Sequence, residues 1–111
     1  MTTAPGLERD IQRAVLAYLR SRPGSFTAKL AAGPYSLPGL PDILHLEGGR
    51  AFFLEVKRPG SKPTPLQAAT LERLQTAGAL AAVVTSLDEA VGVVEGKNPF
   101  VNKVGGGCRN G

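Results

Sequence analysis

The chain reads as an α/β protein built on one mixed sheet with helices on its faces. Three observations predict this: an amphipathic helix near the start, two strands joined midway by a Gly-Gly turn, and helix-start signals that then alternate with a short apolar run. Pro5-Gly6 precedes the first helix, from about Leu7 to Ser21. Within it Leu7, Ile11, Ala14, Val15, Tyr18 and Leu19 form one stripe at helical spacing. Glu8 falls on the border of that stripe, about 60° from its centre at 100° per residue. Pro23-Gly24 ends the helix, and Phe26 to Leu30 reads as a strand. Gly33 to Gly39 is a loop by its glycine and proline content.

The next two strands carry the most information. Asp42 to Leu46 and Ala51 to Lys57 are separated by Glu47-Gly48-Gly49-Arg50, and Gly-Gly tolerates the positive φ of a tight two-residue hairpin. With Gly48-Gly49 as the loop, opposed residue numbers sum to 97, so Asp42 lies across from Glu55. Opposed side chains share a face with Cβ atoms about 4.5–5.5 Å apart, and Lys57 returns to that face by alternation. Leu44, Leu46, Ala51 and Phe53 lie on the same side, so two carboxylates and a lysine stand at one end of an apolar surface. Like charges directly opposed are destabilising unless neutralised, and oxygen ligands at this separation suit Mg²⁺ or Mn²⁺.

After Lys57, residues Arg58 to Pro63 form a basic loop. Thr64-Pro65-Leu66-Gln67 predicts a helix start, with Thr64 as N-cap, Pro65 at the first helical position and Gln67 closing a capping box. That helix runs to Ala77 and stops at Gly78. Ala79 to Thr85 reads as a buried strand. Ser86-Leu87-Asp88-Glu89 reads as a second capping box, opening a helix to about Val94. Residues 1–95 are expected to form the domain, and residues 96–111 a flexible Gly/Asn-rich tail. At 111 residues the chain fits one domain with a modest core. Its single cysteine, Cys108, excludes an internal disulfide framework. With no signal-peptide pattern and no apolar run of bilayer length, a cytoplasmic protein is expected. A formal charge of +4 permits a polyanionic partner without demanding one. No phosphate-binding Gly-x-x-x-x-Gly-Lys loop is present. His45 faces away from Asp42, opposite Phe52, which argues against a Ser-His-Asp triad.

Gly39-Leu40-Pro41-Asp42 followed by Glu55-Val56-Lys57 resembles the PD-(D/E)XK nuclease signature. With the Lys-Arg-Pro-Gly exit and Thr-Pro-Leu-Gln opening the next helix, the stretch from Glu8 to about Val94 is similar to the small stand-alone form of the VRR-Nuc family. The resemblance implies a restriction-endonuclease-like αβββαβ core. It also implies that Asp42, Glu55 and the backbone carbonyl of Val56 hold Mg²⁺, with Mn²⁺ as the alternative, and that an acidic residue of the first helix, here Glu8, joins them. Lys57 is expected to orient water or stabilise developing charge. A carboxylate in a first turn is favourable without further reason, but the resemblance and the place of Glu8 on the edge of the buried stripe favour the site role. Gln67 is divided between the capping box and a place beside the active site. Arg58 and Lys62 are candidate phosphate contacts or solvated charges, and Tyr35 either stacks on a base or packs on the hairpin.

The function implied is that of a metal-dependent DNA endonuclease acting on branched DNA, as a homodimeric Holliday-junction resolvase of phage or prophage type. A monomeric flap or fork nuclease and a non-catalytic DNA-binding module on the same fold are the alternatives. Retention of Asp42, Glu55 and Lys57 argues against the pure binder.

Overall fold

A computed structural model describes residues 7–30, 33, 34 and 36–96. Residues 97–111 of the tail, Cys108 among them, and Tyr35 lie outside the described residues. In chain order the elements are α1 (Glu8–Arg20), β1 (Phe26–Lys29), β2 (Ile43–Glu47), β3 (Arg50–Val56), α2 (Pro65–Thr76), β4 (Leu80–Val84) and α3 (Leu87–Val94). The strands form one four-stranded sheet in the order β1-β2-β3-β4. The first two pairings are antiparallel, and β3 and β4 run parallel because α2 carries the chain across between them.

The hairpin register is the one the turn dictates. Glu47 pairs with Arg50, Leu46 with Ala51, His45 with Phe52, Leu44 with Phe53 and Ile43 with Leu54. Gly48 and Gly49 both take positive φ, 58° and 77°, which a side chain would oppose. The ladder starts one residue later than the sequence suggests, at Ile43, since Asp42 uses its side chain rather than its backbone to reach β3.

The two faces of the sheet differ. Ile43, Phe52, Leu54, Val56 and Val84 meet Val15, Leu16 and Leu19 of α1 and Ala90, Val93 and Val94 of α3 in the principal core. The alternate residues, Leu44, Leu46, Ala51 and Phe53, are only half-buried or exposed. On that face α2 contributes a thinner layer through Leu71, against Ala81. Strand alternation therefore sends Leu54 and Val56 into the main core and Glu55 to the thinly covered side.

The helix caps follow the sequence closely but not fully. Thr64 Oγ1 accepts from the Gln67 N–H at 3.1 Å, and Gln67 Oε1 accepts from the Thr64 N–H at 2.9 Å, a complete capping box. At α3 only half of the expected box forms. Ser86 Oγ accepts from the Glu89 N–H, while the Glu89 carboxylate reaches one residue further back and takes the Thr85 N–H at 2.6 Å. Ser86 itself is extended, and the Thr85 hydroxyl adds a second donor to the same oxygen. Among the described residues no helix is long and apolar enough to cross a membrane.

Candidate active site

Three strand ends meet at one edge of the molecule, and Asp42 sits where they converge. Its backbone carbonyl accepts from the Leu30 N–H at 2.7 Å, anchoring it to the end of β1. Its side-chain Oδ2 accepts from the Val56 N–H at 2.8 Å, anchoring it to the end of β3. The carboxylate is thus held at Val56, the residue between Glu55 and Lys57. One oxygen already has a partner in the backbone.

Glu55 is 2% exposed, an unusual place for a carboxylate. Its Oε2 lies 3.4 Å from the Lys57 Nζ, and its Oε1 is buried with no hydrogen-bond partner among the described residues. Burial first, and the neighbouring Asp42 charge second, push the Glu55 carboxyl up to about 7, while Lys57 pulls the other way. Glu8, exposed at the first position of α1, adds the weakest upward push, so its charge does reach the site. An orphaned, buried carboxylate oxygen beside a second carboxylate is costly unless another group satisfies it.

The backbone supplies a further oxygen. Lys57 N–H donates to the Val84 carbonyl at 3.0 Å, toward β4. The peptide unit is planar and trans, so the Val56 carbonyl in the same unit points the opposite way, toward Asp42. The oxygens that could hold a cation are then the remaining Asp42 oxygen, Glu55 Oε1 and the Val56 carbonyl. All are hard oxygens, which fits Mg²⁺ or Mn²⁺ rather than a soft metal. Among the described residues no three His, Cys, Asp or Glu side chains are gathered closely enough to hold an ion by themselves. Two carboxylates and one carbonyl match a site that leaves much of the coordination to water and substrate.

A cleft of about 290 Å³ opens beside Asp42, lined by Leu37, Gly39, Thr64, Leu66 and Gln67 among others. Gln67 lines this cleft while its Oε1 is held in the capping box. Gly39 carries the loop over the start of α2 with φ +81°, and a Cβ there would lie 2.8 Å from Thr70 Oγ1. Arg58 and Lys62 are exposed on the loop that leaves β3, and neither has an ion pair among the described residues. A larger cavity, about 640 Å³, lies between α2 and β4 and is lined mainly by Pro, Ala, Leu and Val. It holds no cluster of ionisable groups, so size does not mark the chemistry here.

His45 is fully buried between Thr27 Oγ1 at 2.7 Å and Glu47 Oε1 at 2.9 Å, on the face opposite to Glu55. It belongs to the packing and not to the site. Sequence reasoning missed a set of basic residues on α1 and β1: Arg9, Arg13, Arg20 and Lys29 line one groove. Their signal was present, since positions 9, 13 and 20 lie within about 40° of one another on a helix at 100° per residue.

No family model matches the chain, and no curated protein does. Solved structures do. One, described as a VRR_NUC domain, is 30% identical with a TM-score of 0.67, covering 79% of this chain and 94% of that one. A second, described as a VRR_NUC domain protein, has a TM-score of 0.65 at 23% identity and covers 91% of this chain and 93% of that one, a likeness of fold. The sheet order, the buried Glu55 beside Asp42 and the agreement over nearly the whole of the first neighbour lead to one assignment: the chain belongs to the VRR-Nuc family of nuclease domains.

Proposed function

We propose that the protein is a divalent-metal-dependent DNA endonuclease that cuts branched DNA, working as a homodimer on Holliday junctions. The observation that carries the metal dependence is Glu55, buried beside Asp42 with an Oε1 that has no hydrogen-bond partner among the described residues. A pure binding module gains nothing from that arrangement, because two opposed carboxylates repel a phosphate. A bound Mg²⁺ would supply positive charge against the phosphoryl oxygens and acidify the attacking water. Asp42, Glu55 and the Val56 carbonyl are the residues that would hold it. Lys57, 3.4 Å from Glu55 and half-buried, orients the water or stabilises the charge developing on the phosphate. Glu8 adds negative charge at the rim, and the Gln67 amide at the cleft is available to position water or phosphate. Arg58 and Lys62 on the exit loop contact the DNA backbone.

The junction and the dimer rest on the resemblance to the small stand-alone form of the VRR-Nuc family. A symmetric four-way junction offers two equivalent strands, and the described residues hold one site of this kind, so a two-fold dimer supplies the pair. The test is cleavage of four-way junction, single-flap and linear duplex DNA with Mg²⁺, Mn²⁺ or EDTA, alongside light scattering at working concentration. Paired cuts on the junction by a dimer, dependent on the metal, are expected. A strict monomer that prefers the flap would overturn the resolvase reading and leave the nuclease intact.

A further inference from the structure

We propose that the groove between α1 and β1 seats the sugar–phosphate backbone of duplex DNA outside the point of cleavage, an inference that rests on the nuclease reading. The groove, about 340 Å³, is lined by Arg9, Arg13, Arg20 and Lys29, with Gln12, Leu16 and Ala17 completing its floor. All four cations are exposed. Arg9, Arg20 and Lys29 have no carboxylate within salt-bridge distance among the described residues. Arg13 has only a 3.7 Å contact to Asp10, with its side chain 77% exposed. Four like charges on one surface repel one another, and a bound polyanion removes that cost. Arg9 also stands in the first turn of α1, the end of the helix dipole that disfavours a cation.

Position selects the partner. The groove begins at the catalytic end of the sheet: Arg9 follows Glu8, Lys29 pairs with Ile43, and the next residue, Leu30, donates to the Asp42 carbonyl. It then follows α1 away from that end. From Arg9 to Arg20 the stripe spans about 16 Å at 1.5 Å per residue, and a B-form strand places a phosphate about every 3.4 Å of axis. The track therefore matches several consecutive phosphates. Among the described residues no aromatic ring lines it, so they offer no platform for stacking unpaired bases, and a duplex fits better than a single strand.

The experiment measures binding of the full chain to a long duplex in EDTA across a salt series, for the wild type and for Arg13→Gln/Arg20→Gln/Lys29→Gln. Arg9 is left in place because it adjoins Glu8. The triple variant is expected to lower the steepness of log K against log salt by about 2–3, near 0.9 per phosphate contact, and to weaken binding at least about ten-fold at moderate salt. Its single-turnover cleavage at saturating DNA should stay near the wild-type rate. The charge-preserving variant Arg13→Lys/Arg20→Lys/Lys29→Arg should restore the slope, separating charge from folding. An unchanged slope in the triple variant, with a wild type that cleaves DNA, would overturn the groove assignment alone. Equal losses on a single strand of the same length would overturn the duplex partner. A wild type that neither binds nor cleaves DNA would remove the nuclease reading and this inference with it.

Discussion

Glu55 shows how much the site asks of one side chain. Its carboxyl is pushed up to about 7 from an ordinary 4.5, by burial and then by Asp42. A carboxyl raised on folding contributes stability that is complete below its unfolded value and is lost as pH rises through the folded one. The metal-free protein should therefore lose stability between about pH 5 and 8, and Glu55→Gln should flatten that loss while ending cleavage. At pH 8 the variant should melt several degrees higher, with ~1 kcal/mol corresponding to about 4–8 °C in a domain of this size. Thermal melts in EDTA at both pH values check this, and an unchanged profile would mean that Glu55 is not the strained group. Asp42 carries a second burden, the Val56 N–H. Asp42→Asn keeps an acceptor and should fold normally without cleaving. Asp42→Ala leaves that N–H without its partner and should cost on the order of 1–3 kcal/mol as well as activity, read by urea unfolding. Lys57→Ala should lose cleavage with divalent binding largely kept, since Lys57 contributes no ligand charge; isothermal titration with Mn²⁺ separates the two effects.

At the scale of elements, local signals set most of what is observed. The Gly48-Gly49 turn fixes the hairpin register, and through it the faces of Asp42, Glu55 and His45. Thr64 and Gln67 open α2 as their spacing requires. What could not be read from the chain depends on side-chain direction in three dimensions. The Asp42 bond to Val56 N–H moves the start of β2, the Glu89 carboxylate chooses Thr85 over Ser86, and the basic groove needs Lys29 of β1 to join the stripe on α1. Gly39 is the element-scale hinge between the site and α2. Its positive φ alone would penalise an alanine by about 1–2 kcal/mol, as at Gly49. A Cβ at Gly39 would also meet Thr70 Oγ1 at 2.8 Å and Leu66 Cγ at 2.9 Å, whereas one at Gly49 meets nothing within 4 Å. Gly39→Ala should thus destabilise more than Gly49→Ala and should reduce cleavage, because the loop that moves carries Asp42. Equal unfolding midpoints and equal activity would contradict that placement.

Across the whole molecule the sheet divides two tasks. One face, under α1 and α3, holds the principal core, and the thinly covered face ends in the carboxylates. The far end of the hairpin is tied to the end of α1 by a polar chain. The Arg22 guanidinium donates to Glu47 through Nε at 2.6 Å and Nη2 at 2.8 Å, and Glu47 meets His45, which meets Thr27. Arg22 first, and His45 after it, hold the Glu47 carboxyl down to about 2. A depressed carboxyl contributes stability present above its unfolded value of 4.5 and lost as pH falls through about 2. Glu47→Gln should therefore reduce stability at neutral pH and shrink the acid-induced loss below pH 4, without changing cleavage at saturating DNA. Strong acid and metal-free conditions near neutral pH thus stress opposite ends of one hairpin, Glu47 at the turn and Glu55 at the site. The central claim is that the Asp42–Glu55 pair, held at the open end of the sheet, turns a divalent cation into cleavage. Its most direct measurement is the Mg²⁺ dependence of single-turnover cleavage of a four-way junction by the wild type and by Glu55→Gln, matched for folding by melting. The account predicts metal-saturable cutting by the wild type, none in EDTA, and none by the variant at any Mg²⁺ concentration; cutting by Glu55→Gln at the wild-type rate would contradict it.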